Sequence, residues 1–259
     1  MDEFANGIGR VTSMEHKISS DFTAERRLAV TPDVAGWKGL TFRAYMFRAG
    51  QPIDGESVDD EVLMLFLGGS ATVRVGEQTW DVDGRDDVFS GPPHCIYLPP
   101  RHSYLLTPRT DCEVAYARAR AEGRFAPRFI PPSDQGEPGQ GGDARRVTTL
   151  LGPGEAERLL CAEALTPPGA WSGCPLYEDD EFASRRGAEL AEVCYHRIDP
   201  RTGWAIQRLY ADGGTDAAVV VRHGDAVMAP GESHPVVAAP GHALYTLHVL
   251  ADESSLPVR

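Results

Sequence analysis

From about Leu28 onward the chain is written as short apolar or alternating runs, each closed by glycine, proline or aspartate. That punctuation is how a β sandwich or barrel is spelled, and helix signals are few. Runs of this kind lie at Thr41–Phe47, Glu61–Leu67, Ala71–Val75, Gln78–Val82, Cys95–Leu98 and Glu113–Ala117. Val75 to Gln78 supplies a tight connection between two of them.

After a break the pattern resumes, at Arg158–Leu165, Leu190–Ile198, Gly203–Tyr210, Ala217–Val221, Asp225–Met228, Pro235–Ala238 and Ala243–Leu250. A chain of 259 residues is long enough for one large β domain or two ordinary ones. Residues 131–143, rich in Pro and Gly with almost nothing to bury, read as a linker between an N-terminal β half over 1–130 and a C-terminal half over 144–259. A long surface loop inside a single domain is the other reading of that stretch. Duplication has an internal echo: Ile96-Tyr97-Leu98-Pro99 before His102, and Val227-Met228-Ala229-Pro230 before His234.

A formal charge of -13 and a pI near 5.0 disfavour nucleic acid and anionic membrane as partners, since both are polyanions. A small molecule is the expected partner. Five widely spaced cysteines, Cys95, Cys112, Cys161, Cys174 and Cys194, form no CxxC pair and read as reduced thiols. With no apolar leader in Met1–Arg10 and no run of about 20 apolar residues, the expectation is a cytoplasmic protein that does not span a membrane.

The strongest local chemical signal runs from Gly224-Asp225 through Pro230-Gly231 to His234 and on to Pro235-Val236-Val237-Ala238. A glycine turn, an apolar strand and a proline turn deliver a histidine where a barrel can aim it inward. The segment resembles the second cupin motif, whose histidine binds a metal; a histidine satisfied by backbone at a strand end is the plain alternative. In cupins the first motif supplies an HxH pair, placed on one face by the strand period of two, and a glutamate. Here no HxH occurs: Tyr177 and Asp179 stand in its place, while Glu192 remains as the carboxylate. On the Glu192 strand, alternation puts His196 on the same face as Glu192 and Cys194; an ordinary packed histidine is its competing reading.

Across nearly the whole chain, further blocks carry a more specific resemblance: Val30-Thr31-Pro32, Val88-Phe89-Ser90-Gly91-Pro92-Pro93, Tyr97-Leu98-Pro99-Pro100, Ala121-Glu122-Gly123-Arg124-Phe125, Thr166-Pro167-Pro168-Gly169 with Trp171-Ser172, Tyr195-His196-Arg197-Ile198, Gln207-Arg208 with Tyr210, and His234 through Gly241. In this order they are similar to the bacterial 5-deoxy-glucuronate isomerase family, a relative of the 4-deoxy-threo-hexosulose-uronate isomerases. The resemblance implies an all-β bicupin, two tandem cupin barrels, and an aldose–ketose isomerisation assisted by a divalent metal, usually zinc. It implies as ligands two histidines of a PPHKHD block, a glutamate and a later histidine. The last two match Glu192 and His234; the block reads Pro175-Leu176-Tyr177-Glu178-Asp179-Asp180, so both of its histidines are replaced.

Three functions follow from that pattern. The leading one is a diverged isomerase-like enzyme in which Glu192, His234, Asp179, Tyr177 and His196 carry acid–base proton transfer, an isomerisation, cyclisation or dehydration-type step in specialised metabolism. Its altered block is more anionic and disfavours a uronate. The second is a metal-dependent 5-deoxy-glucuronate isomerase of inositol catabolism, with zinc, manganese or iron weakly held by Glu192, His234 and Asp179. The third is a non-catalytic small-molecule binder. Trp171, Glu178, Tyr195, Gln207, Arg208 and Tyr210 are the expected substrate-binding positions, and a homodimer is expected. The first half, with only His94 and His102 near a turn motif, reads as structural.

Overall fold

The computed structural model describes residues 16–132, 137–138, 144–173, 190–211, 214, 216–229 and 233–254. Its first half contains β1 (Lys17–Ser19), β2 (Arg26–Val30), the single helical turn α1 (Pro32–Ala35), β3 (Thr41–Phe47), β4 (Ile53–Glu56), β5 (Asp60–Val75), β6 (Gln78–Arg85), β7 (His94–Leu98), β8 (Ser103–Pro108), β9 (Cys112–Arg120) and β10 (Arg128–Ile130). The remainder contains β11 (Glu137–Pro138), β12 (Arg146–Leu151), β13 (Leu159–Thr166), β14 (Trp171–Ser172), β15 (Leu190–Asp199), β16 (Trp204–Tyr210), β17 (Asp216–Arg222), β18 (Asp225–Met228), β19 (Val236–Ala238) and β20 (Ala243–Asp252).

Among the described residues every pairing between strands is antiparallel. In the first half the order is β10-β7-β5-β9-β3-β2, with β6 and β8 on the far end of β5 and β4 on β8. In the second, β1-β18-β15-β20-β13-β12-β11 forms one sheet and β14-β19-β16-β17 another. The two long sheets follow the same plan, β7, β5, β9 and β3 corresponding to β18, β15, β20 and β13. Each ends on a strand from outside its own half or at its border: β10 closes the first sheet on β7, and β1, from the beginning of the chain, pairs with β18 in the second. The expected linker contains β11, which pairs with β12.

Two runs that read as separate strands, Glu61–Leu67 and Ala71–Val75, are one strand, β5. The glycines between them bend it rather than turn it. Gly69 sits at φ +84, where an added Cβ would come 2.2 Å from the Asp111 carbonyl oxygen, and the register slips on both partners there. Such a bulge lets a single strand change sheets.

The central strands β5, β13, β15 and β20 are buried on both faces, and the alternation of side-chain direction sorts the apolar side chains into three clusters. Phe47, Val62, Met64, Phe66 and Val114 pack together inside the first barrel. Cys194, Ile198, Leu209, Val221, Val236 and Leu244 line the interior of the second. Between them lies a joint core drawn from both halves, including Phe42, Leu63, Leu65, Tyr97, Cys161, Tyr195, Tyr245 and Leu247.

Polar clamps cross the same joint. The buried Glu61 carboxylate accepts the backbone N–H groups of Glu157, Arg158 and Leu159 and the Tyr97 hydroxyl. Reciprocally, Glu253 accepts from the N–H groups of Lys38, Gly39 and Leu40. Arg85 and Glu163 form a buried ion pair at 3.0 Å across the halves, and Arg197 pairs with Glu113. Buried charges of this kind are tolerated because each is matched and hydrogen-bonded. Cys95, Cys112, Cys161 and Cys194 are buried free thiols.

A buried Glu–Cys–His–His cluster

Strand period decides which side chains meet in the second barrel. On β15, Glu192, Cys194 and His196 point into it, whereas Val193 and Tyr195 point into the joint core. β20 lies alongside with Cys194 opposite His248 and His196 opposite Thr246, so His248 and Thr246 share the inward face. His234 arrives from the connection ahead of β19, and its backbone carbonyl accepts from Gln207 Nε2 of β16 at 3.2 Å.

The result is one carboxylate held between two imidazoles with a thiol beneath. His234 Nε2 lies 2.9 Å from Glu192 Oε2, and His248 Nδ1 lies 3.0 Å from Glu192 Oε1. Cys194 Sγ is 3.6 Å from Glu192 Oε1 and 3.7 Å from Nδ1 of both His234 and His248. Burial pushes the Glu192 pKa up, but the charge of His234 and the hydrogen bonds from His234 and His248 outweigh it and hold the carboxyl well below its usual range. An ionised carboxylate only accepts, so the ring nitrogens facing it donate. The Cys194 thiol behaves likewise: burial raises its pKa, His234 and His248 lower it against the opposing charge of Glu192, and the net direction is down.

These four donors, all buried, lie within 4.8 Å of one another. Bonds of about 2.3 Å to sulfur and about 2.1 Å to nitrogen or oxygen, at tetrahedral angles, put sulfur roughly 3.6 Å from its neighbours. The observed edges at Sγ, 3.6, 3.7 and 3.7 Å, have that length. Carboxylate, thiolate and two imidazoles are a donor set for a borderline-soft divalent ion such as zinc.

One layer deeper, His196 is fully buried between Gln207 and Thr246. Since the Gln207 amide donates to the His234 carbonyl, its Oε1 is the group facing His196 Nε2, at 2.9 Å, and that nitrogen carries the proton; Nδ1 accepts from Thr246 Oγ1 at 3.1 Å. Burial lowers its pKa to about 4 against the Gln207 hydrogen bond, keeping the ring neutral. His196, Gln207 and His234 thus form a relay that fixes the position of His234.

The other expected positions are scattered. Tyr195 is buried in the joint core, 5.4 Å from the Phe42 ring, on the face of β15 turned away from the cluster, while its neighbours of opposite parity hold the inward face. Arg208 and Tyr210 lie on the outer face of β16, Arg208 being paired with Asp216 at 2.9 Å and stacked 4.5 Å over Tyr210. Trp171 is largely exposed on β14. Tyr177, Glu178 and Asp179 lie outside the described residues. His248 was not marked by sequence at all, because a single histidine in an apolar run declares itself only once β20 is registered against Cys194.

Two antiparallel barrels joined through a shared core, with a metal-donor cluster facing into the second, define a bicupin enzyme. Residues 15–258 match the KduI/IolB family, and the chain belongs to it. It is 36% identical over 228 residues to the 5-deoxy-glucuronate isomerase of Geobacillus thermodenitrificans (strain NG80-2), across 86% of this chain and 83% of that one. An IolB-like protein from Salmonella typhimurium LT2 superposes with a TM-score of 0.82 at 26% identity over 94% of each chain. Oxalate decarboxylase of Bacillus subtilis shares the fold alone, with a TM-score of 0.61 at 14% identity over 92% of this chain and 77% of its own. The protein is an isomerase of this family, with a small-molecule substrate. Among the described residues no helix is long and apolar enough to cross a membrane.

Proposed function

We propose that the second barrel is a metal-assisted sugar-acid isomerase that moves a proton between neighbouring carbons of 5-deoxy-glucuronate, with Glu192, Cys194, His234 and His248 as ligands. The observation that carries this reading is the Glu192 carboxylate bracketed by two imidazoles, with Cys194 at tetrahedral edge distance. Two ligands of the family pattern, Glu192 and His234, are kept; His248 and Cys194 supply the donors that the replaced PPHKHD histidines would have given. A divalent ion, if held by these four residues, would supply Lewis-acid polarisation of a substrate carbonyl, which would acidify the adjacent C–H. The two imidazoles favour the ionised forms of Glu192 and Cys194, and Gln207 with His196 fixes the His234 backbone. His196 has both ring nitrogens engaged, so it positions and does not carry the substrate proton. Asp179 and Tyr177, which stand where the family has its HxH pair, are the acid–base groups assigned to that proton.

Elemental analysis of protein purified without chelator, with an assay on 5-deoxy-glucuronate, tests the proposal. About one equivalent of metal and turnover abolished by chelation are expected; metal-free protein that turns over the sugar acid would sink it. The acidic run from Glu178 to Glu181 favours a second reading, in which the chemistry is the same and the substrate is neutral or cationic. Bound metal without turnover of 5-deoxy-glucuronate would select it. A homodimer and a cytoplasmic setting belong to the same proposal, tested by light scattering and cell fractionation.

A further inference from the structure

Superposing the plan of the two barrels shows what each has done with the same interior. The matched runs ending at Leu98 and Ala229 place Leu98 opposite Val62 and Ala229 against Glu192, so Val62 corresponds to Glu192. Counting along the paired strands, Met64 corresponds to Cys194 and Tyr116 to His248. The contact is preserved while its chemistry is not: Tyr116 Oη lies 3.4 Å from Met64 Sδ where His248 Nδ1 lies 3.7 Å from Cys194 Sγ. Opposite Tyr116 and His248 stand Arg43 and Ala162. Where the second barrel has Glu192, Cys194, His248 and Ala162, the first has Val62, Met64, Tyr116 and Arg43, so the metal donors give way to apolar side chains and one ring, with a guanidinium beside it.

It has not filled itself in. A cavity of about 260 Å³ opens there, lined by Arg43, Tyr45, Phe47, Tyr104, Tyr116 and Arg118, with Glu25, Asp54 and Glu56 among its other lining residues. The rings are set as walls: Tyr45 stacks on Phe47 at 5.3 Å and meets Tyr116 edge-on at 5.6 Å, and the Tyr116 and Tyr104 hydroxyls are bonded at 2.9 Å. Gly55 is what admits Tyr104, for a Cβ there would come 2.2 Å from its ring. Arg118 is committed to the Ser57 carbonyl at 2.6 Å and to Asp60 at 3.1 Å. Arg43 is not: its Nε is buried with no hydrogen-bond partner, and no carboxylate among the described residues pairs with it.

We propose that the first barrel is a second small-molecule site, one that takes a single flat ring bearing one carboxylate, the ring lying against Tyr45 and Tyr116 and the carboxylate on Arg43. Aromatic walls give area at low entropic cost, and the guanidinium fork matches a carboxylate bidentately. Lining acids Glu25, Asp54 and Glu56 oppose a second negative charge, which limits the ligand to one.

Benzoate is the probe, titrated calorimetrically into the intact protein as purified. One-to-one binding is expected, weakened about ten-fold or more in Arg43→Gln and weakened in Gly55→Ala, with isomerase turnover unchanged in Arg43→Gln. Benzyl alcohol, the same ring without the charge, should bind more weakly than benzoate. Absence of benzoate binding, equal affinity in Arg43→Gln, or loss of binding in Glu192→Gln but not in Arg43→Gln would overturn the assignment. None of these outcomes depends on the role proposed for the second barrel.

Discussion

His248 Nδ1 meets Glu192 Oε1 at 3.0 Å across the ladder that joins β20 to β15. If His248 completes the ligand set, His248→Ala should lower the affinity of the chelator-stripped protein for zinc by more than about 100-fold, because even partners of a ligand are worth 10–100-fold. The fold should survive, since β20 keeps its pairing with β13 and β15 through backbone alone. Competitive chelator titration checks it; unchanged affinity would remove His248 from the site.

Gln207 touches no metal donor through its side chain except by way of the His234 backbone. Gln207→Leu strips the His234 carbonyl and His196 Nε2 of their partner together. Zinc affinity should fall about 10–100-fold, and Gln207→Glu should restore less than the wild-type value, because a carboxylate cannot donate to the carbonyl. The same titration distinguishes the two variants.

A pH dependence arises at His223, remote from the cluster. Its Nε2 faces Arg197 Nη1 at 2.8 Å and must accept, so the proton sits on Nδ1 and is given to the Ile198 carbonyl at 2.9 Å. Burial, then the charge of Arg197, lowers its pKa to about 4. The unfolded chain therefore binds more protons than the folded one between about pH 6.5 and pH 4. Stability is complete above that window and declines as pH falls through it, by on the order of 2 kcal/mol after allowance for partial solvation. His196, whose pKa burial also lowers to about 4, contributes in the same window, so His223→Gln should make that part of the profile of melting temperature against pH shallower without abolishing it; an identical profile would show that His223 contributes nothing to it.

Much of this molecule is legible in its letters, and what is not has a common cause. Thr41–Phe47 and Asp225–Met228 are strands with the bounds their alternation and punctuation indicate. By contrast β1, β4, β8 and β12 carry mixed polar faces and exist because a neighbour's edge recruits them. Glu192 and His234 were visible because local turn chemistry and family blocks mark them. His248 and Arg43 were not, since each matters only through the residue across the ladder, Cys194 in one case and Tyr116 in the other. Tyr195 shows the reverse: it sits inside a recognisable block, yet strand period turns it into the joint between the barrels.

That joint is the last place where the structure makes a demand on a single side chain. Glu61, wholly buried, gathers three backbone N–H groups from residues 157–159 and the Tyr97 hydroxyl, so one carboxylate satisfies four donors belonging to both halves. Glu61→Ala leaves those N–H groups in a space closed to bulk water, and each buried unsatisfied donor costs about 1–3 kcal/mol. A loss of roughly 3–5 kcal/mol is expected, about 10 °C in melting temperature for a chain of this size. Glu61→Gln keeps the shape and one acceptor oxygen, so it should fall between Ala and wild type. Zinc affinity should be unchanged in both, because the clamp and the cluster lie on opposite faces of their sheets; a loss of metal that tracked the loss of stability would mean that the joint holds the second barrel in its binding-competent form.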